Sequence, residues 1–475
     1  MQDEVAAERS ARPGTGSDVP APVPRSRFAA LRFPHPFALL VSCILLAAAL
    51  SHVVPAGQFD RRDDAATGRR VVVAGTYHQV APAPVGAFQA LVALPRGMVD
   101  AASVVFYVFL VGGAFSVVEQ TGALRRMVDW LAGSLANRGV LVIPASCAAF
   151  GLGGILIQMQ EELIAFVPVL LLLTRRLGFD AATAVAMSLG ASAVGAAFSP
   201  INPFQVGIAQ KVAELPLLSG GMFRIAFLIP ALGLWTIATM RYAERTRVAP
   251  AGEGPSATTD TGSRRQDLVL VVVTGTFAMF VFGVLKLGWD FDQLSALFFL
   301  MGVLAGIIGG LGLEGTAAGF SEGFRQMALA ALLIGAARGI YVALDQGLIV
   351  DTIVQALFAP LAHLPILVSA LGMMVLQAGV HVAVPSTSGQ AVLTLPLLIP
   401  LSDLLGLARQ VVVLAYQYGA GICELLTPTN GALMAMLAAA GVPYGRWFRF
   451  SLWPLALLAI LGACGVALGI ATGLS

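Results

Sequence analysis

Charged residues are scarce in this chain of 475 residues, since they make up only 11% of it and leave a formal net charge of +2. Soluble globular domains carry about 25% charged residues, so the composition excludes a water-soluble protein. The sequence has no basic stripe with interleaved aromatic residues, which excludes nucleic acid as a partner. Because 57% of the residues are hydrophobic and the mean hydropathy is +0.84, we expect an all-α, polytopic membrane protein in contact with lipid.

Cysteine is also rare, and the four cysteines show no metal-ligand spacing. Cys43, Cys147, Cys423 and Cys464 lie inside apolar segments, where a free cysteine usually acts as a small buried hydrophobic residue. The His-Glu-x-x-His, Gly-x-Ser-x-Gly and paired-aspartate patterns of enzymes are missing as well. We therefore expect no resident cofactor and no enzymatic activity, and a membrane-embedded enzyme is the weaker alternative.

The N-terminal residues 1–32 lack the apolar core of a signal peptide. They are rich in proline, arginine, alanine and serine, which predicts a disordered cytoplasmic tail. Because their arginines precede the first apolar run, 37–54, the positive-inside rule places the N-terminus in the cytoplasm. We expect the protein in the inner membrane. The predicted organisation is a first membrane repeat over 33–243 with an extracytoplasmic excursion at 55–96, a cytoplasmic linker at 244–266, and a second membrane repeat over 267–475.

Two short polar motifs interrupt long apolar segments in the two halves of the chain. The first is Ser-Pro-Ile-Asn at 199–202, and the second is Thr-Pro-Thr-Asn at 427–430, 228 positions further on. Proline removes a backbone donor and asparagine is costly to desolvate. Such a break is tolerated at membrane depth only beside protein or a water-filled cavity. We therefore expect two broken helices, 181–210 and 411–440, that together form a duplicated binding site.

Two further segments combine a pair of apolar arms with a polar tip. In segment 140–174 the tip is Gln-Met-Gln-Glu-Glu at 158–162, and in segment 364–405 it is Pro-Ser-Thr-Ser-Gly-Gln at 385–390. Short arms and a tip dense in hydrogen-bonding groups favour re-entrant hairpins with tips at mid-depth. For the first segment, two full crossings joined by an external turn are the alternative. The sequence thus predicts nine crossings and two hairpins.

The order of these features repeats along the chain. The two polar motifs coincide at an offset of 228, and at an offset of 226 Gly97 and Gly113 coincide with Gly323 and Gly339. The second half has an extra span, 294–313, where the first half has its soluble excursion. One additional crossing inverts every element that follows it. The pattern is therefore the inverted repeat of secondary transporters, in which substrate and ions bind at the midplane between discontinuous helices.

Several of these motifs resemble those of one family, the YfcC-like carriers, which include four-carbon dicarboxylate and basic amino acid carriers of the ion transporter superfamily. The resemblance extends over about residues 33–472 and implies an elevator-type carrier, usually a homodimer, whose hairpins and broken helices slide against a scaffold. The residues that carry it are Val-Pro-Ser-Thr-Ser-Gly-Gln-Ala at 384–391, Pro-Leu-Ser-Asp at 400–403, Arg-Gln at 409–410, Pro-Thr-Asn-Gly at 428–431, Glu-Glu at 161–162, Gly-Phe-Asp at 178–180 and Asn-Pro-Phe at 202–204.

The candidate substrate- or ion-binding residues lie in the tips and the breaks. Glu161 and Glu162 are the sharpest candidates, since an ionisable group inside a membrane is a functional hypothesis by default. They are adjacent, so one is expected to face the ligand and the other to hold the hairpin against Arg338. The set is Gln158, Gln160, Glu161, Glu162, Ser199, Asn202, Ser386, Thr387, Ser388, Gly389, Gln390, Glu424, Thr427, Thr429 and Asn430.

Each candidate also has a structural interpretation. The two asparagines can serve as helix caps at the breaks, and the hydroxyl groups of the second tip can bond back to their own helix. His381, on a hairpin arm, is expected to be a packed histidine and not a proton relay. The family pattern leads us to expect an acid after Tyr418-Gly419, but the chain has Ala420 there, and Glu424 is the nearest acid.

The balance of charge in the apolar segments bears on the substrate. Three acids, Glu161, Glu162 and Glu424, face one base, Arg338. This excess favours a zwitterionic or cationic ligand such as an amino acid, or proton coupling, because a dicarboxylate calls for basic donors. We predict a secondary active transporter for a small organic solute, coupled to Na⁺ or H⁺ or working by exchange. A four-carbon dicarboxylate carrier is the alternative, and a channel is a more distant rival.

Overall fold

The computed structural model describes residues 35–64, 69–124, 126, 141–248 and 264–474. The predicted tail, 1–32, and residues 249–263 of the predicted linker lie outside the described residues. Within them the chain is almost entirely helical, and its short strands are confined to residues 57–79. The expectation of a helical chain is thereby confirmed.

The helices of the described residues are numbered here in chain order. They are α1 Pro36–Leu50, α2 Ala87–Asp100, α3 Ala102–Gln120, α4 Val142–Ile157, α5 Val167–Arg176, α6 Ala181–Ala197, α7 Ile208–Val212, α8 Gly221–Arg245, α9 Arg264–Phe282, α10 Phe291–Gly309, α11 Gly312–Gln346, α12 Val350–Phe358, α13 Ile366–Ala383, α14 Thr387–Leu404, α15 Arg409–Cys423, α16 Gly431–Ala439 and α17 Tyr444–Ala471. A short 3₁₀ helix, Glu161–Phe166, precedes α5, and a π-helical turn, Pro203–Gly207, precedes α7.

Six of the described helices, α3, α8, α10, α11, α13 and α17, are long and apolar enough to cross a bilayer. Shorter apolar helices, among them α1, α4 and α6, accompany them. Helix α2 begins at Ala87, inside the predicted excursion 55–96, and continues almost directly into α3. The nine crossings and two hairpins of the sequence interpretation remain predictions.

The same backbone hydrogen bonds recur in both halves of the chain at an offset of 228. After α5 the amide of Phe179 donates to the carbonyl of Thr174 (2.8 Å), and after α14 the amide of Leu407 donates to that of Ser402 (2.8 Å). In each case the intervening glycine, Gly178 or Gly406, takes the positive φ that such a helix end requires. The two halves therefore end their equivalent helices in the same way.

Helices α2 and α3 pack antiparallel on the long helix α11 through glycines. A Cβ atom at Gly97 would lie 2.4 Å from the backbone of Gly339, and one at Gly323 would lie 2.5 Å from the backbone of Gly113. These four glycines coincide in sequence as Gly97 with Gly323 and as Gly113 with Gly339, at an offset of 226. The contact of Gly97 with Gly339 therefore has its counterpart in the contact of Gly323 with Gly113. Reciprocal contacts of this kind are what a two-fold relation between two segments produces.

This crossing predicts the consequence of adding one methyl group. Gly97→Ala is expected to destabilise the protein by about 1–3 kcal/mol, because the new Cβ meets backbone atoms that cannot rotate away. Gly233→Ala in α8 is the matched control, since nothing lies within 4 Å of its added Cβ and alanine is the better helix former. Melting temperatures of the purified proteins in detergent measure both effects. A melting temperature of Gly97→Ala equal to that of the wild-type protein would refute close backbone packing at this crossing.

Residues 57–79 form two short antiparallel ribbons beside α12 and α14. Strands β1 (Gly57–Gln58) and β4 (His78–Gln79) pair with each other, as do β2 (Arg61–Asp64) and β3 (Arg69–Val72). The buried carboxylate of Asp351 on α12 accepts hydrogen bonds from the amide of Phe59 (2.9 Å) and from the guanidinium of Arg61 (2.8 Å). These contacts fix the ribbons to the helical body.

Candidate functional site

A cavity of about 400 Å³ lies where the two predicted hairpin tips meet. We call it the central cavity. Its volume lies within the range of small-molecule binding sites. Its wall includes ten of the predicted site residues: Gln158, Gln160, Glu161, Glu162, Ser386, Thr387, Ser388, Glu424, Thr429 and Asn430. Residues that lie more than 250 positions apart in the chain thus converge on one site.

The first tip reaches across the cavity with two glutamine side chains. Helix α4 ends because Gln158 takes the left-handed conformation (φ 53°), which turns the chain towards the cavity at a cost of about 1–2 kcal/mol. The Gln158 amide donates to the hydroxyl of Thr387 (2.7 Å) and to Glu424 (3.4 Å), and the Gln160 amide also donates to Glu424. The first tip is therefore joined by side chains to both the second tip and the second break.

Glu162 and Glu161 follow in the 3₁₀ turn at the same tip. A carboxylate oxygen of Glu162 accepts from the backbone amide of Gln160 (3.0 Å), which holds the tip closed on itself. Both glutamates line the central cavity. We expected one of the two glutamates to face the ligand, but the structure places both at the wall of the cavity.

The residues of the second tip divide between two roles. Ser386 caps α14 by accepting from the amide of Gly389 (3.3 Å), while Thr387 faces the first tip. Gln390 is fully buried, where it bonds to the His381 ring (2.9 Å) and to the carbonyl of Gln377 (2.7 Å). The central cavity is therefore lined by Ser386, Thr387 and Ser388. Gln390 instead bonds to two residues of α13, and Gly389 does not line this cavity.

Glu424 is the most enclosed carboxylate of the site, with 5% of its surface exposed. Besides the two glutamine amides, the His381 ring lies 4.0 Å from its carboxylate. In the described part of the chain, no lysine or arginine forms an ion pair with it. A buried carboxylate without a cationic partner is costly, so this position is suited to receive a proton or the positive group of a ligand.

The two breaks are alike in backbone and different in side-chain use. Each asparagine caps the helix that follows: Asn202 accepts from the amide of Gln205 (3.1 Å), and Asn430 accepts from that of Leu433 (3.0 Å), 228 positions on. Asn202 also donates its amide to the carbonyl of Gly154 (2.8 Å) and is fully buried. Asn430 makes no such second bond among the described residues and instead lines the central cavity.

The hydroxyl residues of the breaks follow the same division. Ser199 is fully buried and donates to the carbonyl of Ile155 (2.8 Å), which ties the first break to α4. Thr427 and Thr429 share a hydrogen bond of 2.8 Å, and Thr429 lines the cavity while Thr427 does not. The structure therefore brings the second break to the cavity, whereas Ser199 and Asn202 hold the first break against α4.

Arg338 was expected to pair with one of the tip glutamates, and that expectation is wrong. Its Nε donates to the carboxylate of Asp100, at the end of α2, and its guanidinium lies 4.9 Å from the ring centre of Tyr341. Sequence reasoning missed Asp100. The signal was present, since Asp100 lies one turn beyond Gly97 and Arg338 adjoins Gly339, and the repeat pairs these two glycines.

The central cavity is strongly acidic. Five carboxylate residues line it, together with one cation, Arg338. Three of the five are the predicted glutamates. Of the remaining two, Asp100 is the last residue of α2 and Asp290 caps the start of α10. Among the described residues, no group of three or more acidic, histidine or cysteine side chains has the geometry of a metal site. The arrangement can bind an organic cation.

The chain is similar to known transporters along most of its length. A family model described as DcuC, C4-dicarboxylate anaerobic carrier, matches residues 33–471. The protein named "Putative basic amino acid antiporter YfcC", from Escherichia coli (strain K12), is 34% identical over 386 residues, which are 76% of either chain. A protein of Haemophilus influenzae (strain Rd) described as uncharacterized is 27% identical over 488 residues, 91% of this chain and 96% of its own.

Two solved structures of transporters are more distantly similar. The crystal structure of the Alcanivorax borkumensis YdaH transporter has a TM-score of 0.43 at 18% identity and covers 93% of this chain and 99% of its own. Neisseria gonorrhoeae MtrF, described with a class of antimetabolite efflux pumps, has a TM-score of 0.40 at 17% identity and covers 93% and 96%. A likeness at this level carries no information on the binding site.

Proposed function

The chain belongs to the DcuC family of C4-dicarboxylate anaerobic carriers and is a multi-pass membrane transporter of a small molecule, and from this premise we propose that its substrate is a cationic amino acid. The resemblance seen in the motifs is thereby confirmed at the level of the family. The relatives are transporters, which are not enzymes. The substrate class rests on one observation, the five carboxylate residues around the central cavity.

The acidic wall discriminates between the two substrate classes that the relatives' names suggest. A dicarboxylate placed in this cavity would bring two carboxylates next to five acidic residues of the wall, and Arg338 could pair with only one of its two ends. The ammonium group of a basic amino acid would instead neutralise part of the wall and take the place of missing partners around Glu424. The name of the relative from Escherichia coli, a basic amino acid antiporter, agrees with this assignment.

We propose that transport proceeds by an elevator motion of an inverted repeat. The recurrent bonds at an offset of 228 and the reciprocal glycine contacts support the repeat. In this proposal α2, α3 and α11 belong to the scaffold of a homodimer. The two hairpins and the two broken helices carry the substrate, and the bonds of Gln158 and Gln160 close the tips around it. The inner membrane and a cytoplasmic N-terminus complete the proposed topology.

Coupling is assigned to the same cavity. Glu424 and Glu162 are positioned to exchange a proton or to coordinate Na⁺ with the hydroxyl groups of the second tip, and an antiporter would instead return a second amino acid. A channel is the less suitable model, because two tips joined by hydrogen bonds across the cavity favour an occluded substrate over a continuous pore.

Counterflow in proteoliposomes tests the proposed function. Vesicles loaded with unlabelled L-lysine are expected to accumulate labelled L-lysine or L-arginine saturably, and succinate is expected neither to accumulate nor to compete. Vesicles without protein provide the control. Accumulation of succinate with no uptake of either amino acid would overturn the cationic substrate and favour the dicarboxylate alternative. Unitary currents without saturation would overturn the carrier mechanism.

A further inference from the structure

A second cavity, of about 330 Å³, lies between the β2–β3 ribbon and the second hairpin. We call it the outer cavity. Ser386 and Arg338 line both the outer and the central cavity, so the two spaces adjoin at these residues. Arg61 and Arg70 on the ribbon line the outer cavity only. No motif of the sequence analysis predicted this space.

The register of the ribbon directs these arginines to the same side. Arg61 pairs with Val72, and Asp63 pairs with Arg70, in the antiparallel ladder. Paired residues lie on one face and successive residues alternate between faces, so Arg61, Arg70 and Val72 share a face. All three line the outer cavity. Arg62 falls on the opposite face and does not line it.

The two cavities have opposite charge. The outer cavity is lined by three arginines, Arg61, Arg70 and Arg338, and by two aspartates, Asp345 and Asp351. Arg61 and Asp351 pair with each other (2.8 Å), which leaves Arg70 and Arg338 with one aspartate, Asp345. The central cavity, in contrast, holds five carboxylate residues and only Arg338. A molecule that passes between them therefore moves from a basic space into an acidic one.

Arg338 is the cation at the junction of the two cavities. Its Nε is used by Asp100, and its guanidinium lies against Tyr341. Among the described residues, its two terminal amino groups make no hydrogen bond, and 38% of the side chain is exposed. A guanidinium with two free amino groups is the geometry that binds a carboxylate in bidentate fashion.

We propose that the outer cavity is a carboxylate-binding subsite that orients an amino acid with its side-chain ammonium group towards the central cavity. Arg70 attracts the α-carboxylate, and Arg338 holds it at the junction while the cationic side chain enters the acidic space. This subsite rests on the proposed transport of cationic amino acids. It adds a requirement for the α-carboxylate, which the acidic central cavity alone would not impose.

The test compares L-lysine with cadaverine, which has the same terminal amine and no carboxylate. In lysine counterflow, Arg70→Gln is expected to raise the KM for lysine about twofold to fivefold, the range for one solvent-exposed ionic contact. The inhibition constant of cadaverine should stay constant or fall, because a repelling positive charge has been removed. The rise in KM should shrink in about 1 M salt, where charges are screened within about 3 Å.

Arg62→Gln is the matched control, since it removes the same charge from the opposite face of the same ribbon. Three results would each overturn the subsite and leave the proposed function standing. They are an unchanged KM for lysine in Arg70→Gln, an equal rise for lysine and cadaverine in that variant, and an equal effect of Arg62→Gln. Failure of the wild-type protein to exchange lysine would overturn the proposed function, and the subsite with it. The two failures are therefore distinguishable in one experiment.

Discussion

Replacing Glu424 by glutamine is expected to lower the kcat/KM for lysine counterflow about 100-fold or more. The substitution keeps the size of the side chain and removes the most enclosed carboxyl group of the central cavity. Loss of one partner of a desolvated ionic contact typically costs about 2–5 kcal/mol, and a substrate ammonium group would lose that contact. Gln158 and Gln160 donate to different carboxylate oxygens of Glu424, so the new amide oxygen can keep the bond from one of them, and loss of the other is expected to lower the melting temperature only slightly.

The control for this prediction is Glu322→Gln on α11, an exposed glutamate that bonds to Arg325 and Gln326 and lies outside the cavity. Initial rates over a range of lysine concentrations, with the melting temperature of each variant, separate a transport defect from a folding defect. Wild-type kinetics in Glu424→Gln would remove this carboxylate from the site.

The two asparagines are expected to respond to alanine in opposite ways. Asn430→Ala should abolish lysine uptake and change the melting temperature little, because this side chain lines the cavity and gives the fold a single capping bond. Asn202→Ala should destabilise the protein by about 2–4 kcal/mol, since a buried side chain loses its cap and its bond to Gly154, and that carbonyl is left without this donor.

Uptake and melting temperature, measured on both variants, decide between the two roles. A stable Asn430→Ala protein with full uptake would make Asn430 a structural cap. A stable Asn202→Ala protein that no longer transports would show that the first break contacts the ligand, contrary to the structural bonds of Asn202.

The position of the site could be predicted from the sequence, because the energetic cost of polar groups in apolar segments is visible there. Proline with asparagine at 202 and 430, and glutamates at 161 and 162, are hard to place in lipid. The structure brings the polar tips and the second break together around one cavity. The close crossing of α2 and α3 with α11 was also visible in the sequence, as glycines that recur at an offset of 226.

The division of roles within the site could not be predicted, because two similar motifs do not show which residues will surround each of them. Asn202 and Asn430 occupy equivalent positions in their motifs. The side-chain amide of Asn202 has a structural role because the carbonyl of Gly154 lies next to it and accepts its hydrogen bond. Gln390 belongs to the second-tip motif, yet the helix turns it towards His381 and away from the central cavity. The partner of Arg338 depended on the crossing of α2 and α11, which places Asp100 beside it.

The most direct test of the central claim is substrate protection of a cysteine inside the central cavity. Ala101 lines this cavity between α2 and α3. Ala101→Cys, in a background with the four native cysteines replaced by alanine, is to be alkylated with a small water-soluble maleimide. L-lysine is predicted to slow the reaction, with half-maximal protection near its KM for counterflow, and succinate is predicted to leave the rate unchanged. An alkylation rate that is the same with and without saturating lysine would contradict binding in this cavity.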